Sequence, residues 1–290
     1  MGKSIHGRVA MAVCCTAIGI AVAAPAASAT APSFYGTNQS GELVTIEKVK
    51  KKKRGKKPKR AFKATDSTPL KFTPAGASEL VGIDQRPING ELNGIGDNSV
   101  VYRVNPATGI ATGVAGSTTA PFSTTLEGNS FGVDFNPTVP GGGAIRIVSD
   151  SNYNHRVSPN TGTDGAGTPD ADLNGGMNSP TIVHAAYTNS ALDITQPLAT
   201  ELKVLDSAND VLYTQNPPNA GTLTAPLELS FDVTDVGGFD ILGNGSTAYV
   251  ASQRGGRSEL HRLNVATGDS KSLGIVKRAS VLTGLAVSQR

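Results

Sequence analysis

Three aspartates recur in one local setting: Asp84 in VGID, Asp134 in FGVDFNP and Asp240 in GGFDILG. Carboxylates at one position of a repeating strand meet around a common axis when the repeats close into a ring. Paired carboxylates are the acid–base machinery of glycoside hydrolysis. The same repetition fits a plainer role, with each Asp capping its own strand end or the turn that follows. A second acidic group, Asp170-x-Asp172-x-Asn174-Gly175, sits in the loop NTGTDGAGTPDADLNGGMN. It matches the opening of a calcium loop, in which alternate oxygens wrap a hard cation and glycine permits the turn. The twelfth position is Thr181 rather than glutamate, which excludes a complete EF-hand. No cofactor is expected otherwise; calcium on Asp170, Asp172 and Asn174 is the one candidate.

Charge supplies a third chemistry. The stretch KVKKKKRGKKPKRAFK holds Lys48, Lys50, Lys51, Lys52, Lys53, Arg54, Lys56, Lys57, Lys59, Arg60 and Lys63, with no acid among them. So dense a set of like charges predicts a disordered, solvated insertion at 48–63. Its chemistry would be the binding of a polyanion through counterion release, with steep salt dependence. Phe62 is the only aromatic in the run, so recognition would be by charge rather than base stacking, and sequence-specific nucleic-acid binding is not expected. His155, His184 and His261 fall in different repeats, which rules out a helical HExxH pair; His184 reads as a buried, hydrogen-bonded residue. No GxSxG, phosphate loop or dinucleotide fingerprint is present.

The elements that must position these residues are short strands. Leu80 to Gly116 reads as four of them in a row: VGID, ELNGIG, SVVYRVN and IATGVAG, separated by turns at Pro87–Gly90 and Pro106–Gly109. The first of the four recurs as Gly82-Ile83-Asp84, Gly132-Val133-Asp134, Ala185-Ala186-Tyr187, Gly238-Phe239-Asp240 and Gly284-Leu285-Ala286, at spacings of 50, 53, 53 and 46 residues. Such spacings suit the blades of a β-propeller. Third-strand copies are SVVYRVNPATG (99–109), HRVSPNTG (155–162), ELKVLDSAND (201–210) and ELHRLNVATG (259–268), with GELVTIEK (41–48) as a fifth. SFYGTN (33–38) precedes that fifth copy as a second strand, and LKFTP (70–74) follows the basic run as an outer one. The far end of the chain supplies a lead strand and the near end the strands after it. The prediction is an all-β propeller of five four-stranded blades, closed by joining N- and C-terminal strands, over residues 30–290.

The first 29 residues read as a secretory signal: basic residues Lys3, His6 and Arg8, an apolar stretch from Val9 to Ala24, and Ala27-Ser28-Ala29 for cleavage. That apolar stretch is short for a membrane span. Both cysteines, Cys14 and Cys15, lie inside it, so a chain beginning near Thr30 has neither disulfide nor thiol nucleophile. Beyond the signal there are 24 Lys and Arg against 23 Asp and Glu; setting aside the eleven of the basic run leaves 13 against 23, a net charge of −10. The body is acidic and the run is its opposite.

The ordered pieces LVGIDQRP, VYRVNPATGIATGV, FGVDFNPTVP, QNPPNAGTL (215–223) and GFDI resemble a secreted bacterial family of unknown function, number 4394, over roughly residues 33–288. The resemblance implies an exported, propeller-like all-β domain and no established activity, so no catalytic residue carries over. The lysine-rich run departs from the family pattern, as does GELNGIG, where the family has an aromatic and apolar strand. The functional expectation is a secreted, extracellular or cell-wall-associated monomer, without a membrane span in the mature chain. It would act as a non-enzymatic binding or scaffold domain, with the basic run attaching to anionic envelope polymers. The alternative is a hydrolase or lyase using Asp84, Asp134 or Asp240 at the mouth of the ring channel, with calcium as an accessory.

Overall fold

Short runs, punctuated by glycine and asparagine turns, become the strands of five small sheets, and most of the inner strands are buried along their whole length. The computed structural model describes residues 1–2, 33–53, 56–114, 121–141, 143–192, 199–243 and 245–288, with 51–53 and 56–60 as backbone. All but the first two residues of the expected signal lie outside the described residues, as does Arg54.

The chain runs in order through β1 (Phe34–Asn38), β2 (Glu42–Lys53), β3 (Lys56–Pro69) and β4 (Lys71–Thr73). Blade 1 is built on β5 (Leu80–Gln85), β6 (Leu92–Gly96), β7 (Val101–Val104) and β8 (Ile110–Gly113). Among the described residues, blade 2 is made of β9 (Phe131–Asn136), β10 (Ala144–Ser149) and β11 (Asn154–Val157). The short β12 (Asn174–Gly175) precedes blade 3, made of β13 (Ile182–Tyr187), β14 (Leu202–Asp206), β15 (Val211–Gln215) and β16 (Thr222–Glu228). Blade 4 is β17 (Gly237–Ile241), β18 (Thr247–Arg254), β19 (Arg257–Asn264) and β20 (Ser270–Ile275), and β21 (Leu282–Val287) comes last.

The ring closes as predicted. β21 pairs antiparallel with β1, Phe34 opposite Val287 and Gly36 opposite Leu285, and β2 and β3 complete that closing blade. Closure pairs the inner edge of β1, which would otherwise be open to another chain, with β21. Each seam between neighbouring blades is filled by its own apolar cluster. At the seam of blade 4 and the closing blade, Phe34 meets Phe62 and Tyr249 edge-on, with ring centroids 5.6 and 4.8 Å apart. Edge-to-face packing of this kind adds to the area buried.

The repeat is also visible in the turns after the third strands. In Asn105–Gly109 and Asn264–Gly268 the asparagine side chain accepts the amide two residues on, at 2.9 and 3.0 Å. The closing glycine amide returns to the asparagine carbonyl at 2.9 Å in both turns, with φ of +69° and +77°. Positive φ at the last position selects glycine there.

Several details depart from the sequence reading. The blades hold three to five strands rather than four throughout. ELKVLDSAND is the second strand of blade 3, not the third; its Asp206 side chain makes the same local bond to an amide two residues on, which disguised it. LKFTP leaves the closing blade and lies parallel to β8 on the rim of blade 1. The basic run, expected as a disordered loop, instead lies on β2 and β3, which pair from Glu42 opposite Pro69 out to Lys53 opposite Lys56. The GELVTIEK strand simply continues, past the buried Leu43, Val44 and Ile46, into a two-stranded ribbon.

Candidate functional site

Within each blade the first strand runs along the ring axis, and the glycine of the repeat sets how close neighbouring blades come. A Cβ on Gly132 would lie 2.2 Å from the Ala185 nitrogen, and one on Gly238 would lie 2.5 Å from the Leu285 nitrogen. Only hydrogen fits at those approaches. Gly82, Gly132, Gly238 and Gly284 form a collar around a neck of about 20 Å³, large enough for one water-sized species. Above it the channel widens to a mouth of about 230 Å³, where Gln39, Glu79, Asn129 and Asp235 are among the lining residues.

The third blade breaks the collar, and here the sequence register was off by one residue. The blade-to-blade hydrogen bonds align His184-Ala185-Ala186, not Ala185-Ala186-Tyr187, with GxD. His184 therefore occupies a glycine position and is the only collar residue with a side chain. It is buried, and its Nε2 donates to the Thr234 carbonyl at 3.1 Å. Burial lowers its pKa to about 4, so the imidazole is neutral at physiological pH. It lines both neck and mouth.

Two residues further along, Asp84, Asp134 and Asp240 converge. One carboxylate oxygen of each lies within 4.8 Å of the others, and the three residues are 6, 1 and 2 % exposed. Each reaches across a seam to the next blade's lead strand. Asp84 accepts from the Phe135 amide at 2.9 Å, Asp134 from the Tyr187 amide at 3.0 Å, and Asp240 from the Val287 amide at 2.5 Å. The cap anticipated from sequence is thus a latch onto a neighbour, although Asp84 and Asp240 also accept the amide following them. In blade 3 and the closing blade the equivalent residues are Ala186 and Ala286.

Three buried carboxylates cannot all be charged at this spacing. Desolvation raises the Asp84 pKa to about 7, against the backbone donors that lower it. Burial, and then repulsion from the neighbouring aspartates, holds Asp134 and Asp240 well above the usual carboxylate range. The cluster can share protons or hold one small cation. It lies beneath the collar rather than at the mouth. Glycosidases need about 5–9.5 Å between carboxyls and space for a sugar ring.

The calcium loop does not assemble. The Asp170 side chain is 1 % exposed and both of its oxygens are taken: Oδ2 by Arg146 Nη1 at 2.6 Å and Arg156 Nε at 2.8 Å, and Oδ1 by Arg156 Nη2 at 2.7 Å. Asn174 turns its amide to the carbonyls of Asp172 and Ala220. Asp170 is the counter-ion of two arginines in the seam of blades 2 and 3. Arg146 is fully buried and also bonds Asn154 and Asn219. Local spacing cannot reveal such a partner, since the arginines lie 24 and 14 residues before Asp170.

Of the basic run, Lys48 lies 5.8 Å from the centroid of the Phe62 ring, which itself belongs to the core. Beyond this pair the ribbon carries Lys50 opposite Arg60, Lys51 opposite Lys59 and Lys53 opposite Lys56. The other two histidines are structural: His155 contacts Asp164 at 3.0 Å and His261 stacks on Phe231.

Fold and site together define a five-bladed β-propeller with a polar, carboxylate-lined axis and a basic ribbon on its closing blade. Residues 56–286 match the model described as Domain of unknown function (DUF4394), and the chain belongs to that family. No curated protein matches the sequence. Among solved structures, hydrazine synthase of Kuenenia stuttgartiensis is 11% identical with a TM-score of 0.41, over 71% of this chain and 51% of that one. TolB of Acinetobacter baumannii is 11% identical at 0.37, over 89% and 66%, and the Dos1 propeller 7% identical at 0.35, over 90% and 63%. The chain thus spans between half and two thirds of those proteins' length, and likeness at this level carries no argument about function.

Proposed function

We propose that the protein is a secreted, non-enzymatic propeller that acts as a binding or scaffold domain at the bacterial surface, with the β2–β3 ribbon as its attachment to anionic envelope polymers. The observation that carries this reading is the register of the ribbon. Like charges directly opposite one another destabilise a strand pair, and a two-stranded ribbon is marginal by itself. The ribbon nevertheless pairs lysine with arginine and lysine with lysine over its outer rungs. A polyanion laid along it removes that repulsion and releases counterions, so binding and ordering of the ribbon reinforce each other.

The test replaces residues 50–60 by a two-residue Asn-Gly turn, which leaves the core residue Phe62 in place. Retention of the intact protein on isolated cell walls should fall linearly with salt on logarithmic axes and disappear in the shortened variant. Equal retention of the two forms at low salt would sink the attachment role. Fractionation of producing cells should find the protein outside the cytoplasm, and cytoplasmic retention would remove the surface setting.

The hydrolase or lyase alternative draws on the convergence of Asp84, Asp134 and Asp240. The tight neck and the commitment of each carboxylate to a backbone amide weigh against a substrate there. Turnover of a glycan, lactone or phosphoester that vanishes in Asp134→Ala would reverse that preference.

A further inference from the structure

The aspartate trio on the ring axis is surrounded by donors and meets no cationic side chain. Five backbone amides aim at it: those of Gln85 and Phe135 at Asp84, of Tyr187 at Asp134, and of Ile241 and Val287 at Asp240. Donors of this kind favour the ionised carboxylate. None of the ion pairs among the described residues includes any of the three. Arg146 stands opposite Asp134 across β9 and β10, but its guanidinium is directed to Asp170, Asn154 and Asn219. Buried charges are paired or coordinate metals, and no side chain supplies the pairing here.

A second observation comes from the collar above. His184 is 4 % exposed and lines the neck. Its Nε2 carries the hydrogen donated to the Thr234 carbonyl, so Nδ1 of the neutral ring is a bare acceptor. Nδ1 has no hydrogen-bond partner among the described residues, and it is not one of the interior's sealed, unpaired atoms, so it opens on the channel space that His184 lines. Asp134 Oδ2 is likewise unpartnered and unsealed. An acceptor facing a neck that holds one water-sized species points to a donor in that neck, and a metal-bound water is such a donor. The His184 and aspartate positions are two residues apart along the lead strands, roughly 6.6–6.8 Å. A metal–oxygen bond of about 2.1 Å and a hydrogen bond of about 2.8 Å cover most of that, and the imidazole's own reach covers the rest.

The donor set narrows the ion. One oxygen of each aspartate lies within 4.8 Å of the others, so a single ion can touch all three, and each oxygen keeps a lone pair beside its amide bond. An all-carboxylate set with water suits hard divalent cations. Both oxygens of Asp84 and of Asp240 already accept amides, which disfavours bidentate binding. Three protein oxygens and a neck for one water fall short of the six to eight oxygens that calcium takes, whereas Mg²⁺ and Mn²⁺ complete an octahedron with water. The mouth carries Glu79 and Asp235 and no lysine or arginine in its lining, a field that draws cations towards the axis.

We propose that Asp84, Asp134 and Asp240 hold one small divalent cation, Mg²⁺ or Mn²⁺, on the ring axis, with a water in the neck bridging it to His184 Nδ1. The ion ties together the lead strands of blades 1, 2 and 4. The proposal is independent of the ribbon's polyanion binding.

The full chain is stripped with a chelator, dialysed and titrated with Mn²⁺ near neutral pH, free Mn²⁺ being counted by electron paramagnetic resonance. A second sample is refolded from denaturant with Mn²⁺ present, so that passage through the neck does not limit loading. One Mn²⁺ per chain should be held and displaced by Mg²⁺, with calcium a poor competitor. Asp134→Asn, which keeps an oxygen for the Tyr187 amide, and Asp84→Asn should each abolish binding, with circular dichroism confirming that the variants are folded. His184→Ala leaves all three ligands in place at a position where the other blades have glycine. It should weaken binding about 10- to 100-fold, the scale of an outer-shell partner. The proposal fails if wild type holds no Mn²⁺ in either sample, if binding is unaltered in both aspartate variants, or if calcium displaces Mn²⁺ as readily as Mg²⁺ does. Affinity unchanged in His184→Ala would overturn the water bridge.

Discussion

Replacing Asp134 by asparagine should make the protein less sensitive to alkaline pH. The substitution keeps the side chain's shape and its oxygen for the Tyr187 amide, while removing one of three crowded titratable carboxyls. A carboxyl whose pKa is raised on folding holds a proton that the unfolded chain has released. Its contribution to stability is complete below the unfolded pKa near 3.8 and is lost as pH rises towards the folded value. Each such retained proton costs about 1.4 kcal/mol of stability per pH unit. The unfolded His184 imidazole is half protonated at pH 6.5 and loses that charge by pH 8, which adds only about 0.4 kcal/mol of stability against the trend set by the aspartates. Wherever the folded Asp134 keeps its proton, its removal separates the two profiles by about 1.4 kcal/mol per pH unit, or roughly 3–6 °C in unfolding temperature for a domain of this size. The assay is thermal unfolding of both proteins from pH 6.5 to 8 in the presence of a chelator. Wild-type stability that is flat or rising over that range, or a variant whose profile runs parallel to it, would refute the account of three mutually repelling buried carboxyls.

Other consequences follow from the same geometry. Asp170→Asn leaves Arg146 buried without its counter-ion and should cost about 3–5 kcal/mol in denaturant unfolding. Millimolar calcium should not change the stability of the wild type, and a calcium-dependent rise abolished by Asp170→Asn would restore the cation-loop reading. Gly132→Ala drives a methyl into the Ala185 backbone and should lower stability by about 1–3 kcal/mol or more, read as a shifted urea midpoint. Phe34→Ala empties the seam beside Phe62 and Tyr249 and should cost about 3–5 kcal/mol, loosening ring closure as seen by hydrogen exchange in β21.

What the sequence determined by itself is what local chemistry repeats. The glycine, apolar and aspartate triplets marked the lead strands, and the Asn-to-Gly turns marked the third strands, because turn geometry and strand alternation are set by neighbours in the chain. Ring closure was legible because each end carried the strands the other lacked. The family pieces confirmed the same order. Three things were decided only in the tertiary structure. A one-residue slip in the third lead strand hid His184 in a glycine position, since register is fixed by the bonds Asp134 makes across a seam rather than by local pattern. The fate of Asp170 depended on arginines brought to it by blade packing. The ribbon formed where charge density alone argued for disorder, because β2 is anchored by Val44 and Ile46 in the core and β3 by Phe62, and pairing propagates outward from that anchor. Spacing along the chain names the groups; the ring determines which of them meet, how deeply they are buried and which remain charged.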